Sequence, residues 1–352
     1  MLNPHISVEP LDAHHIPQIV ELIRAQASRQ DTLDPRLHLS RPGKEIEKML
    51  QAQLSMSVNR PIVAYNKEGF VRGYALPTLW EMPSDDEMIS FFTARNGTSQ
   101  YLTLPAPDEA DAIPVAETLL DALTSHWEHH QTFGDLIRWP SCDLWLEPII
   151  YARRFLQDSE MALRSLEPLS PSKRPISSKL QARLAQPKDE DALVRLHHEE
   201  LAFHTPYTPF VRLVPALEQA IRERLAQAWA GRSVQDGAPL VVVIEEEQEV
   251  VAMAENELLV VKDAGGFGLV PPGRFAYLNN VSVSEKGRGQ GIGRMLVEEV
   301  FKAFRPYQID AYLLWYSSEN PRASGFWPHM GFRPLWKTYQ RRNGDDGMQQ
   351  TS

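Results

Sequence analysis

The sequence predicts an α/β (α+β) protein built as two similar domains, each a mixed, mostly antiparallel sheet flanked by helices. Three observations carry this. The chain has 352 residues, more than one ordinary compact core accommodates. One order of apolar and turn patterns runs through it twice. Between the two runs lies LEPLSPSKRPISS (166–178), with three prolines, four serines and little that could enter a core.

Each copy opens alike. VEPLDAHHIPQIVELI (8–23) and ARLAQPKDEDALVRLH (182–197) both read as a short strand, polar residues able to cap, then apolar residues at helical spacing. PIVAYNKEGFVRGYAL (61–76) and PLVVVIEEEQEVVAMAE (239–255) both read as strand, charged turn, strand. QYLTLP (100–105) and AYLNNVSVS (276–284) are strands leading into long helices. FLQDSEMALRSLEPL (155–169) parallels FWPHMGFRPLWKTYQ (326–340). A period near half the chain means two domains, because solenoid units run to about 20–50 residues. The expected boundaries are a first domain at 1–168, a linker at 169–178, a second domain at 179–341 and a disordered tail at 342–352. The tail, RRNGDDGMQQTS with its first residue, carries too little apolar content to bury. Strand order does not follow from these patterns.

Composition excludes several classes. A single cysteine, Cys142, allows neither a disulfide framework nor a cysteine zinc site within the chain. The start, MLNPHISVEPLDAHH, has no positive cluster and no apolar stretch, so no signal peptide is expected. The longest aliphatic run, LVVVI at 240–244, is far too short for a bilayer. A cytoplasmic protein with no membrane partner is the expectation. Net charge of −10 argues against nucleic acid, whose phosphates call for a basic surface. It would suit a cationic substrate, although ordinary solubility explains it as well.

Chemistry concentrates in KGRGQGIGRMLVEEV (286–300), where four glycines alternate and a helical pattern follows. Ile292, Leu296, Val300 and Phe304 recur at i, i+4, the stripe of an amphipathic helix. The glycines thus form a turn between a strand and a helix start, where unpaired N–H groups and the dipole favour a phosphate. Without Cβ atoms the backbone can approach an anion closely. A dinucleotide fingerprint fails at Ile292 and Arg294, and a P-loop fails at Gly293-Arg294-Met295. R-x-x-G-x-G, Arg288 to Gly293, fits. It resembles the pyrophosphate loop of the GNAT superfamily of acyl-CoA-dependent N-acyltransferases. NPRASGFWPHMGFRP (320–334) resembles the later motif of the same family, and the likeness spans about 178–340.

The resemblance implies acetyl-CoA as co-substrate and no metal. Backbone amides of Arg288, Gly289, Gln290, Gly291, Ile292, Gly293 and Arg294 would cradle the pyrophosphate. The strand at Val281, Ser282 and Val283 would pair with the pantetheine arm, and an N–H near Val283 would receive the oxyanion. Asn320 would bond the pantetheine amides. Phe326 and Trp327 would line the thiol end, with core packing an equal reading of Phe326. Many relatives carry glutamate before the Val-x-Val; here Asn279-Asn280 marks either a bulge or a polar cleft. Many carry a tyrosine where this chain has Trp327, whose indole is no acid near neutral pH. The catalytic candidates are therefore Asn280, as the ligand of a relaying water, with Glu255 and Tyr316 at strand ends; Glu257 and His204 are further replacements. A solvated surface position competes for Glu255 and Tyr316.

In the first copy the glycine turn is replaced by PAPDEADAIPV (105–115), whose Asp108, Glu109 and Asp111 would repel phosphate while still suiting a helix start. This copy reads as degenerate, without a coenzyme A site, packed on the second as an internal pseudo-dimer in a monomer; a homodimer is the alternative. His126, His129 and His130 sit at metal-friendly spacing, but no carboxylate or cysteine partner is evident, so a solvated helix face is expected. HTPYTPF (204–210) is either acceptor wall or plain loop. The implied function is transfer of an acetyl group to a primary amine of a small molecule or peptide. The alternative is a non-catalytic acyl-CoA sensor.

Overall fold

The computed structural model describes residues 5–83, 85–171, 177–208, 210–262 and 269–343. The first half contains β1 (Ile6–Pro10), α1 (Ile16–Leu33), α2 (Gly43–Gln53), β2 (Ile62–Asn66), β3 (Val71–Glu81), β4 (Arg95–Thr103), α3 (Ala112–His129), β5 (Gly134–Pro140), α4 (Glu147–Ala152) and β6 (Leu156–Arg164). The second repeats it as β7 (Leu180–Leu184), α5 (Glu190–His204), α6 (Pro215–Trp229), β8 (Leu240–Glu246), β9 (Glu249–Val261), β10 (Gly273–Val283), α7 (Ile292–Phe304), β11 (Ala311–Tyr316), α8 (Pro321–His329) and β12 (Arg333–Arg342). No helix among the described residues is long and apolar enough to cross a membrane.

Local chemistry sets the boundaries. Asp12 accepts from the His14 amide ahead of α1, satisfying a donor that the helix start leaves open. The β2–β3 turn uses Gly69 at φ 80°, with the Asn66 side chain accepting from the Phe70 amide at 3.0 Å. The β8–β9 turn instead forces Glu247 and Gln248 to positive φ (50° and 73°). The hairpin's twist imposes those angles even without glycine.

All twelve strands form one sheet, ordered β1-β2-β3-β4-β5-β12-β6-β11-β10-β9-β8-β7. Pairing is antiparallel except at β4–β5 and β10–β11, where α3 and α7 provide the crossovers that parallel neighbours require. The two halves exchange their sixth strands. β6 pairs with β11, Tyr316 opposite Glu160, and β12 pairs with β5, Trp336 opposite Pro140. The order is palindromic about the β12–β6 seam.

Alternation along the strands separates two faces. On the front, Val63, Tyr74 and Leu76 pack under α1 and α2, and Val241, Val243 and Met253 under α5 and α6. On the back, Ala64, Ala75 and Ile137 meet α3 and α4, and Val242, Ala252 and Leu314 meet α7 and α8. Between the two front helix pairs, Met161, Leu163, Leu313 and Trp336 of the central strands form a further cluster.

Half of the expected linker, 172–176, lies outside the described residues. The tail begins later than expected: Arg342 ends β12, and the Asn343 side chain donates to Asp135 at 2.8 Å. Residues 344–352 lie outside the described residues. Low apolar content did not predict this end because pairing with β5 uses backbone groups.

Candidate active site

β10 pairs with β11 only from Phe275 to Leu278, yet runs on to Val283. The register with β9 slips between Leu278 and Asn280, so Asn279 is the extra residue of a bulge that bends β10 away from its neighbour. Of the two readings of the asparagine pair, the bulge is realised, and its surroundings are polar. The wedge between β10 and β11 opens into a cavity of 2180 Å³ lined by both halves.

The four glycines serve different needs. Gly289 and Gly291 have φ of 78° and 85°, and an added Cβ at either would meet open space. Gly291 is the residue from which α7 starts. Gly287 is packed: a Cβ there would lie 3.1 Å from Ile292 Cδ1. Gly293 lets the Phe326 ring come within 3.5 Å of that position. Ile292, Leu296, Val297, Val300 and Phe304 are buried along one stripe of α7, aiming the first-turn N–H groups at the cavity edge. The Arg288 side chain donates Nε–H to the Val283 carbonyl at 3.0 Å. Its guanidinium and that of Arg322 lie 5.0 and 4.1 Å from the Phe203 ring, an arrangement in which ring faces attract both cations. Burial, and then Arg322, push Arg288 below its usual range. Two crowded cations beside a helix start favour an anion.

Val281, Val283, Arg288 to Arg294, Asn320, Phe326 and Trp327 all line the cavity. Ser282 does so with a committed side chain, whose hydroxyl donates to the Leu196 carbonyl at 2.9 Å and ties α5 to β10. The Gln290 side chain closes the turn on Lys286 O at 2.8 Å, and Arg294 pairs with Glu298 at 2.8 Å. Asn320 is buried, and its Oδ1 accepts from the amides of Arg322 and Ala323 to cap α8. Phe326 and Trp327 stack edge to face with centroids 4.9 Å apart.

The proposed acid–base residues separate. Glu255 is fully buried between Arg224 Nε at 2.6 Å and His197 Nε2 at 2.9 Å. Burial alone would raise its pKa, but His197 and Arg224 outweigh that and hold it at about 2. It faces α5 and α6 and does not line the cavity. A doubly bonded carboxylate this acidic is a structural anchor, which replaces the expectation of a base. Tyr316 does line the cavity, and its hydroxyl donates to Glu160 Oε2 at 2.6 Å. Burial and Glu160 push it above the usual phenol range, which suits a positioned donor better than a free acid. Glu257 accepts from Asn279 Nδ2 at 3.3 Å and is raised by burial and then by Glu255.

Asn280 stands at the wedge. Its Nδ2 donates to Glu200 Oε2 at 3.2 Å, while its Oδ1 is buried without a partner. Glu200 also contacts His204 Nε2 one helical turn on. Burial by itself would lower His204, but Glu200 and then Asp158 raise it. Glu200, His204 and Asp158 line the cavity. Sequence reading missed Glu200, although Glu200 and His204 at i, i+4 share one helix face. Asp158 and Glu160 were missed because they reach this site only through strand exchange.

In the first half, β4 pairs with β5 only over Asn96–Thr98, so the wedge is repeated. The helix start is closed, however. Arg72 of β3 holds Asp111 at 2.7 Å and contacts Glu109. Internal carboxylates stand at the helix start where an anion would sit. His126 and His130 stack at 4.5 Å, and burial, then His130, lower His126. From HTPYTPF, His204 and Thr208 line the cavity, while Pro209 lies outside the described residues.

Residues 198–332 match the Acetyltransferase (GNAT) family. The likeness to solved structures extends over the rest of the chain as a likeness of fold. The chain's whole fold is shared with a GCN5-related N-acetyltransferase from Sphaerobacter thermophilus at TM-score 0.55 and 13% identity, with 96% of each chain covered. Two further solved structures are similar at lower scores. A tandem GNAT protein from the clavulanic acid biosynthesis pathway has 10% identity and TM-score 0.47, over 97% of this chain and 99% of its own. A GNAT-family acetyltransferase from Colwellia psychrerythraea has 12% identity and TM-score 0.43, over 96% and 100%. No curated protein matches the chain in sequence.

Proposed function

We propose that the second half binds one acetyl-CoA and transfers its acetyl group to a primary amine of a small molecule or peptide. The observation that carries this is the turn at 287–293. Its two left-handed glycines open the start of α7 onto the wedge between β10 and β11. Pyrophosphate would take the first-turn amides of α7, with Arg288 and Arg322 beside them. The pantetheine arm would lie along the unpaired edge of β10, leading the thioester to Asn280. There the amine nitrogen attacks the carbonyl carbon, a C–N bond forms, the C–S bond breaks, and the thiolate takes a proton. The amine's own proton passes to the Asn280–Glu200–His204 group, directly or through a water on Asn280 Oδ1. Tyr316, held by Glu160 and lining the same cavity, would donate the proton that the leaving thiolate takes.

Calorimetry with acetyl-CoA is expected to give one site per chain, and thiol release is expected with an amine panel. Two sites per chain, or release that no amine accelerates, would overturn this reading.

A further inference from the structure

The cavity exceeds what one ligand needs. Its 2180 Å³ is about twice the upper end of the ~300–1,000 Å³ usual for a small-molecule site. Beyond the wedge of the second half it runs along the central strands into the first half, where Ile23, Leu79, Trp80, Met88, Phe91 and Phe92 line it. Met88 and Phe91 each keep 37% of their surface exposed. These are large apolar side chains left facing a cavity rather than packed into a core, which is uncommon without a ligand to cover them.

This arm repeats the wedge of the second half but has lost its anion end, because Glu109 and Asp111, both held by the single Arg72, leave a net negative charge at the start of α3. An opening without phosphate contacts is a slot for an apolar body. Its wall is fixed to the second half: the Arg212 amide donates to Ser90 O at 2.8 Å, Arg212 Nε donates to Ile89 O at 3.0 Å, and Arg224 contacts Glu87.

Where the arm meets the reaction wedge, the lining turns acidic. Asp158 is the extra residue where β6 slips register against β12 between Ser159 and Gln157. It accepts from Ser159 Oγ at 3.0 Å. Burial pushes its carboxyl up, against Ser159, Gln340 and the more distant Arg342 and Arg138. Glu200 is the second acid at this junction. Arg138, which also lines the cavity, lies over the Trp315 ring at 5.6 Å. A long acyl chain of the donor passing here would strip water from two carboxylates and return nothing, whereas an ammonium would satisfy them.

We propose that the first half's arm binds the body of the acceptor, and that the acceptor is a primary amine carried on an aryl or alkyl group. Asp158 and Glu200 receive its amino end and turn it toward the β10–β11 wedge. This rests on the acetyl-transfer reading and adds the substrate class to it.

The test is calorimetry of the full chain saturated with coenzyme A, titrated with 4-phenylbutylamine and, separately, with 1,4-diaminobutane. Phenylbutylamine is expected to bind at least about tenfold tighter, since each apolar group placed in such a slot is worth about that factor. Trp80→Ala and Phe91→Ala should each weaken it about tenfold, Asp158→Asn should weaken both amines, and acetyl-CoA affinity, which also reports folding, should hold in all three. Equal or tighter binding of the diamine overturns the proposal. So do wall variants that bind phenylbutylamine as before, or that weaken decanoyl-CoA instead. Amine binding is read without turnover. Wall-dependent binding with no thiol release to any amine would sink acetyl transfer and leave the site standing. Release to polar amines, unaffected by the wall variants, would sink only the proposed acceptor.

Discussion

Asn280, the residue after the β10 bulge, donates through Nδ2 to Glu200 on α5 at 3.2 Å. A carboxylate on α5 thus stands one residue removed from the wedge. If Glu200 receives the amine's proton, Glu200→Gln should lower kcat by about 10²-fold or more, the lower bound for a dedicated base. Asn280→Ala and Tyr316→Phe should each cost less than about tenfold. Steady-state kinetics on the three variants decides it, and a larger loss at Tyr316 would move the proton path to the Glu160 side.

The contact of Glu200 with His204 sets a pH dependence. Glu200 and Asp158 raise His204 above the ordinary histidine value despite its burial. A group that must be neutral to accept a proton therefore becomes competent only above that raised pKa. The acidic limb of kcat/KM should lie above about pH 6.5. Glu200→Gln removes the larger raising contact, so the limb should move to lower pH, and His204→Gln should abolish it. A limb that stays in place in Glu200→Gln would separate His204 from the reaction.

Glu255 should report on stability instead of turnover. Its pKa is held at about 2 against an ordinary value of 4.5. A depressed carboxylate stabilises the native state fully above pH 4.5 and loses that contribution as pH falls toward about 2. Arg224→Met leaves the buried charge with His197 as its remaining partner, so the loss should approach the roughly 3–5 kcal/mol of a broken buried pair. Urea unfolding at pH 7 and pH 3 should show the gap between wild type and variant narrowing in acid. A constant gap would mean that lost packing, not charge, is what the variant removes.

These contrasts mark what could be read in the sequence. The order of elements in each half, both hairpins and the turn before α7 were legible because each is written in neighbouring residues: Gly69 after Asn66, a β-branched run at 241–244, an i, i+4 stripe from Ile292. Glu255 looked like a strand-end base because period two says which face it takes but not what waits there. Its partner Arg224 comes from α6, 31 residues earlier in the chain. Asp158 and Glu160 read as ordinary strand polarity within the first half. Only the exchange of β6 brings them beside Tyr316 and His204, and strand order is a long-range property that no local pattern encodes.

The glycine turn allows charge and backbone angle to be separated. At Gly291 an added Cβ meets nothing, but φ is 85°. Gly291→Ala should therefore cost stability, about 1 kcal/mol for a left-handed residue with a side chain, and little acetyl-CoA affinity. Gly291→Glu adds a carboxylate beside the first-turn amides of α7, and affinity should fall steeply with circular dichroism unchanged. Calorimetry on the pair checks this. Equal losses would assign the effect to the backbone angle, and no loss in either would make the turn purely structural.

The seam between the halves predicts how the chain comes apart. β6 lies between β12 and β11, and β12 lies between β5 and β6, so each half lacks the strand that completes its own sheet order. A fragment covering the second half alone would expose the edge of β11 where β6 now pairs over five residue pairs, from Tyr312–Arg164 to Tyr316–Glu160. Unpaired edges of that length recruit other chains. The fragment should aggregate or dimerise and should bind acetyl-CoA poorly, because the β10–β11 wedge has lost its outer support. Cutting the intact protein at a protease site inserted within 172–176 should behave differently. The backbone bonds of β6 with β11 and β12 with β5 remain, so the two pieces should elute together from gel filtration and keep acetyl-CoA binding until denaturant is added. Pieces that separate in native buffer, or an isolated second half that stays monomeric with full affinity, would show that the exchanged strands are dispensable and that each half folds on its own.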